Sequence, residues 1–296
     1  MRASTFSIVA FDPSTNELGV AVQSKFLSVG AVVPWVIGGL GAIATQAWAN
    51  TSYGPRGLRL LEEGHEPGRV IETLTQSDEH NDQRQIGIVD STGRSASFTG
   101  TKCLAWAGGL AQDNVAVQGN ILAGPAVIEN MAASFSTSSG CLADRLLAAL
   151  QAGQAAGGDR RGKQSSALYI GKPAGGYGGF NDRYIDLRVD DHPEPIDELA
   201  RLLSLHKLYF FRPAPEDLIQ VDDRLGAEIC ALLVKAGMLA RSNSRYNEAA
   251  QAAFTAFMHR ENLEERVRTD GSVDRQTLEY LRTYRPARGR RPMARG

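Results

Sequence analysis

The chain is organised around two β-rich runs, Thr5–Phe11 and Leu18–Lys25, separated by the connector Asp12–Glu17. Asp12, Pro13 and Asn16 give the connector turn chemistry, so the direct reading is a β-hairpin. Ile8, Ala10, Val20 and Val22 are small or β-branched and suit strands packed on both faces. Thr5 opens the first run and Lys25 closes the second. A threonine hydroxyl is a weak nucleophile and needs an adjacent base. If Thr5 were the first residue, its own α-amine, with an ordinary pKa of about 7.7–8.0, would serve. A cation such as Lys25 across the hairpin would bias that amine toward its neutral form. On the pattern alone, a strand-opening β-branched residue and a solvated strand-end lysine account for the same positions.

Six separated stretches, the two hairpin strands among them, carry a wider pattern: Thr5–Ala10, Leu18–Val22, Gly41–Asn50, Tyr53–Gly57, Val117–Asn120 and Gly157–Gln164. Together they resemble a bacterial family of unknown function assigned to the N-terminal-nucleophile (Ntn) hydrolase superfamily. The resemblance covers about residues 5 to 211. It implies an α+β fold, a four-layer αββα sandwich related to proteasome subunits and amidases. It implies no substrate.

The order of elements agrees. A second strand pair spans Ser28–Ile37 and Gly39–Ala47, joined by the tight turn Gly38–Gly41. That turn lacks the strand–turn–helix context of a phosphate loop. Helices follow from Pro55 to a stop at Gly64 and around Val70–Leu74. Gln85–Val89 and Ser95–Thr99 flank the turn Asp90–Gly93 as a hairpin, with further strands expected at Leu104–Ala107 and Val115–Gln118. Helices at Pro125–Phe135 and Cys141–Ala152, strands at Ser165–Ile170 and Tyr184–Val189, and a helix at Pro195–His206 complete the sandwich.

Candidate site residues lie at strand ends and in turns. Gln46 and Asn50 emerge at the end of a strand, where amides that cap backbone would look the same. Gly157–Lys163 carries the glycines and lysine of a P-loop, yet Gln164 stands where a Ser or Thr is required. Helix also precedes and strand follows, the reverse of the required order. Asp159 is placed to orient the Thr5 amine or a substrate ammonium, and Arg160 to grip a carboxylate; an Asp–Arg pair bracing the loop is the plainer account. Asn120 offers an amide donor for an oxyanion, guided by the resemblance, although a cap for the helix at Pro125 has the same appearance.

Composition bounds the rest. The 296 residues are 43% hydrophobic with a formal net charge of −1, which gives no pointer to nucleic acid or an acidic membrane. The three cysteines, Cys103, Cys141 and Cys230, lack metal-type spacing and read as reduced thiols in a cytoplasm. Arg2 is followed by Asp12 before an apolar core develops, so no signal peptide is expected. The five histidines are scattered, so no metal site is expected.

Arg212–Pro215 marks a boundary. We expect an αββα domain over residues 1–211, a small all-helical domain over 216–285 and a disordered tail over 286–296. The helical segment looks like the three-helix peptidoglycan-binding-like module that follows this family's main domain; packing against the sandwich or a partner subunit is the favoured role. The expected function is amide-bond hydrolysis of a small substrate. Thr5 is the nucleophile after processing, Lys25 tunes its amine, Asn120 is the oxyanion donor, and Gln46, Asn50, Asp159 and Arg160 bind substrate. No cofactor, nucleic acid or membrane is implied, and self-association into a homo-oligomer is expected on the partner side. A catalytically silent scaffold binding a small ligand or a protein is the alternative. Residues 1–4 discriminate, because unless removed they block the amine.

Overall fold

A computed structural model describes residues 5–241 and 245–285. The expected tail, 286–296, lies outside the described residues. Two compact units divide at Leu203/Ser204.

The first unit is built on the N-terminal hairpin. β1 (Thr5–Asp12) and β2 (Glu17–Ser24) are buried along their whole length. Asp12 sets the turn: its Oδ1 accepts from the Ser14 N–H at 2.9 Å and the Ser14 hydroxyl at 2.6 Å, and Asn16 takes a left-handed φ of 55°. Asp12 therefore pairs with Glu17, and counting back along both strands sets Thr5 opposite Ser24. Lys25 falls one residue beyond the strand end. The expected Thr5–Lys25 pairing is corrected by one position, because turn length dictates hairpin register.

The hairpin lies at the centre of a six-stranded sheet, ordered β10-β9-β2-β1-β8-β7. Its other strands are β7 (Gly108–Gln112), β8 (Val115–Asn120), β9 (Ser165–Gly171) and β10 (Arg183–Val189). A four-stranded sheet stacks on it, ordered β3-β4-β5-β6, from β3 (Pro34–Ile37), β4 (Gly41–Ala47), β5 (Arg84–Asp90) and β6 (Ser95–Thr99). Every pairing is antiparallel. The strand expected at Leu104–Ala107 instead begins at Gly108, and Ser28–Val33 holds a short 3-10 turn before β3.

Alternation sorts the side chains into layers. Val9, Phe11, Leu18, Val20 and Val22 join Val36, Ala42, Ala44 and Val89 between the sheets. Residues of opposite parity meet helices: Gly19 faces Leu142 and Leu146, and Phe6 approaches Gly153. These helices are α3 (Ala126–Thr137) and α4 (Leu142–Ala155). On the other sheet, α1 (Tyr53–Glu62) and α2 (Pro67–Gln76) bury Leu58, Leu61, Val70 and Leu74 against Ile43, Ile86 and Ile88. The result is an αββα sandwich, whose double covering explains why β1 and β2 read as apolar on both faces.

One close approach is testable. A Cβ on Gly54 of α1 would stand 2.2 Å from the Trp35 indole. Ala would gain about 1 kcal/mol of helix preference, yet overpacking of this kind costs about 1–3 kcal/mol. Gly54→Ala is expected to lower the urea midpoint with an unchanged slope.

The second unit, from Ser204 onward, begins in the last turns of α5 (Pro195–Phe210) and contains α6 (Asp223–Lys235), α7 (Glu248–Arg260) and α8 (Arg275–Thr283). Leu208, Ile229, Leu233, Phe254, Phe257 and Leu278 form its core. It is not all helical: β11 (Leu218–Gln220) pairs with β12 (Ser272–Asp274), a contact between segments too distant for local patterning to predict. Arg266 is buried and donates to Asp274 Oδ1 and to the carbonyls of Lys207, Leu208 and Phe211. Asp274 also caps α8 by accepting from the Thr277 N–H at 3.1 Å.

Candidate functional site

Thr5 stands at the end of β1 with Ser24 of β2 opposite on one side and Asn120 of β8 on the other. Directly opposed residues share a face. Here it is the face toward the second sheet, because Ser7, two residues on, donates its hydroxyl to Gln46 Oε1 of that sheet at 2.7 Å. The Thr5 hydroxyl lies 3.2 Å from Ser24 Oγ, as donor in that hydrogen bond. Thr5 and Ser24 are fully buried and Asn120 nearly so.

Around them runs a network of amides between the sheets. Gln46 Nε2 donates to Gln85 Oε1 at 2.9 Å and to the Thr5 carbonyl at 3.4 Å. Asn120 Nδ2 donates to the same Gln85 Oε1 at 3.0 Å, and Gln85 Nε2 donates to the Gly119 carbonyl at 2.8 Å. Gln118 Nε2 donates to Ser7 Oγ at 2.6 Å. Buried polar groups of this density persist because they largely satisfy one another; among the described residues Gln118 Oε1 is the member of this network left without a hydrogen-bond partner. Ser7, Ser24, Gln85 and Gln118 were missed from sequence, although Gln85 directly precedes the apolar run Ile86–Val89 and Gln118 directly follows Val115–Val117, where an amide stands out.

The chain turns sharply just after two of these amides. Ala47, after Gln46, has φ 65°, and Ile121, after Asn120, has φ 52°. Left-handed backbone costs a residue with a side chain about 1–2 kcal/mol, and for β-branched Ile it is a genuine outlier. Both residues line a small cavity of about 20 Å³ that also touches Asn120, Trp48, Cys103 and Leu104. Burial pushes the Cys103 thiol up, so at neutral pH it is a packing group rather than a thiolate.

Asp159 fastens this end of the sandwich. Its buried carboxylate accepts from the Lys25 N–H at 2.9 Å and from Arg161, both at the Arg161 N–H and at the guanidinium, while its backbone bridges Leu122 just past β8. The partner of Asp159 is Arg161. Arg160 instead donates to the Ala105 carbonyl at 3.4 Å. Lys25 is exposed and its Nζ donates to the Lys163 carbonyl at 3.4 Å. Thr5, Lys25, Asn120, Gln46 and Asp159 thus share one end of the sandwich.

Asn50 belongs elsewhere. Its Nδ2 donates to Asp78 Oδ2 at 3.0 Å, in a cluster where Arg84 Nε donates to the same oxygen at 2.8 Å, Tyr53 OH at 3.0 Å, and the His80 N–H to Oδ1 at 2.9 Å. Arg84 also donates to the Trp48 carbonyl at 2.6 Å, so the cluster holds the loop behind the small cavity. The Arg84 guanidinium keeps the Asp78 carboxyl well below the usual range against the opposing effect of burial. Burial, then the hydrogen bond to Asp78, pushes the Tyr53 phenol well up.

This electrostatics carries a sign. A depressed carboxyl stabilises the fold fully above its unfolded value, about 3.9, and that contribution fades as pH falls toward the folded value. The stability difference between wild type and Asp78→Asn is expected to be constant near neutrality and to shrink below about pH 4, read from urea midpoints across pH.

Among the described residues, no helix is long and apolar enough to cross a membrane, and no group of three or more His, Cys, Asp or Glu side chains is placed to hold a metal ion. No curated protein matches the chain. The crystal structure of protein SPO2555 from Silicibacter pomeroyi is similar, with a TM-score of 0.64 and 30% identity, covering 72% of this chain and 93% of that one; its title places it in DUF1028. A family model described as "Putative peptidoglycan binding domain" matches residues 209–281, within the helical unit. The model of the family of unknown function DUF1028 matches residues 5–199, beginning at Thr5 and ending in the helix that follows the last strand of the sandwich, and the chain belongs to that family.

Proposed function

We propose that the sandwich is an Ntn-type hydrolase of an amide bond in a small cytoplasmic substrate, with Thr5 as nucleophile once residues 1–4 are removed. The observation that carries this reading is the position of Thr5: the end of a central strand, its hydroxyl on Ser24, in register with Asn120. Removal proceeds by attack of the Thr5 hydroxyl on the Ser4 carbonyl, giving an ester that water resolves; the freed α-amine is then the base. In turnover the hydroxyl attacks the substrate carbonyl, the amine takes its proton and returns it to the leaving amine, and water hydrolyses the acyl ester. Asn120 Nδ2 donates to the developing oxyanion, Lys25 biases the amine toward neutrality, and Gln46 holds β1 in place through the Thr5 carbonyl. The strained turns at Ala47 and Ile121 support a site here, since such backbone clusters where geometry is over-determined for function. Asp159 acts through position, by fixing the Lys25 backbone, and Arg160 stands at the rim for a substrate carboxylate. The chemistry needs no cofactor, nucleic acid or membrane. The helical unit serves packing or self-association rather than cell-wall attachment.

A specific observation favours a second reading, a silent scaffold: Gln46, Gln85 and Asn120 bond one another, and Thr5 is wholly buried. Intact-mass measurement separates the two. The hydrolase reading expects a chain starting at Thr5; a wild type that keeps residues 1–4 and cleaves nothing in a broad amide panel supports the scaffold.

A further inference from the structure

A roomy cavity in the first unit lies away from Thr5. A pocket of about 460 Å³ opens where the edge strand β3 of one sheet faces the edge strand β10 of the other, beside α1. It shares no lining residue with the small cavity at Asn120. Its volume falls in the range of small-molecule sites, about 300–1,000 Å³.

The walls are of two kinds. Trp35 and Tyr169 supply flat apolar surface. Trp35 is pinned, with its indole packed over Gly54 and its Nε1–H donating to the Val32 carbonyl at 3.1 Å. Tyr169 lies under the Arg183 guanidinium, 5.4 Å from ring centroid to carbon. The charged wall holds Arg59, Arg183 and Arg188 against Glu62. Asp186 occupies Arg183 at 3.1 Å and Arg188 at 2.8 Å. The Arg59 guanidinium makes no ion pair or hydrogen bond among the described residues, although Glu62 and Glu63 follow it at helical spacing. Three guanidiniums against two carboxylates, one of the three without a partner, make the wall a receptor for negative charge. A strand from another chain fits poorly here: Arg183, Asp186 and Arg188 on β10 and Pro34 opening β3 are features that block strand addition at sheet edges.

We propose that this cavity is a second ligand site, taking a small organic anion with a planar apolar body, its anionic group on Arg59 and its flat body along Trp35 and Tyr169. The proposal stands apart from the Thr5 chemistry and does not depend on it.

Two probes with the same ring system test it on the full chain. Anilinonaphthalene sulfonate carries the anion, and N-phenylnaphthylamine lacks it. Fluorescence titration at low salt is expected to give one site per chain, with the sulfonate bound at least about tenfold more tightly, the low end for a hydrogen bond to a charged group. Arg59→Met is expected to abolish that preference while leaving the neutral probe within about twofold, and Glu62→Gln is expected to raise sulfonate affinity, since it removes the opposing charge. Both side chains are exposed, so both variants fold. Ala31→Trp, which fills the cavity from its exposed rim, is expected to eliminate both probes. Equal affinity for the two probes, a preference that survives Arg59→Met, or sulfonate binding unchanged by a folded Ala31→Trp would each overturn the proposal. So would a wild-type dimer that excludes both probes and dissociates in Ala31→Trp, which would show that a second copy covers this face.

Discussion

Thr5→Ala is expected to keep residues 1–4 and to lose amide hydrolysis altogether, while Thr5→Ser retains both processing and turnover. The contrast isolates the hydroxyl, because Ser keeps it and Ala differs only in lacking it and a methyl group. Thr5 is fully buried between β2 and β8, so each variant must be shown to unfold at a wild-type midpoint before its activity is interpreted. Asn120→Ala is expected to process more slowly and to lower kcat by about 10²–10³-fold, the usual loss for one oxyanion donor. Its neighbour Gln85 Oε1 still accepts from Gln46, so the network survives the change. Processing by mass and kcat on the processed chain are read separately. An Asn120→Ala enzyme with unchanged kcat would remove Asn120 from the mechanism and leave Thr5 in place.

Asp78→Ala is expected to destabilise the sandwich by about 3–5 kcal/mol. Arg84 and Asp78 are each 9% exposed in their side chains. Removing the carboxylate strands the Arg84 guanidinium and takes an acceptor from Asn50 and Tyr53 as well. Unpaired buried charge is what makes one-sided removal costly. The loop from Ala47 to Tyr53 would lose its anchor, since Arg84 also holds the Trp48 carbonyl. Urea denaturation gives the magnitude. A loss under about 1 kcal/mol would show that water reaches the cluster and screens it, as at surface pairs.

Local chemistry determined a good deal of this protein. The Asp12–Glu17 turn and the residues beside it made the hairpin legible, and 3.6-residue spacing with Gly64 as a stop made α1 legible. Asp274 caps α8 through the Thr277 N–H of the helix's own first turn, a contact of local chemistry alone. The order of elements, joined with the resemblance, implied the αββα layers that the structure shows. Misreadings began where pairing is long-range. The start of β7 slipped to Gly108, and the β11–β12 ribbon went unseen, since its strands meet across more than fifty residues of sequence. The register that sets Ser24 opposite Thr5, and Lys25 just past it, follows from counting through the turn, which composition alone does not do. Arg160 and Arg161 are neighbours in sequence, and only the folded loop decided that Arg161 meets Asp159. Asn50 is an amide like Gln46, yet one side chain turns to Asp78 and the other into the layer between the sheets. Those choices depend on which groups from distant strands arrive to satisfy a buried donor or acceptor. Sequence therefore specified the elements and the candidate nucleophile, whereas the amide network around Thr5 exists only because two sheets stack and bring side chains from distant strands within hydrogen-bonding reach.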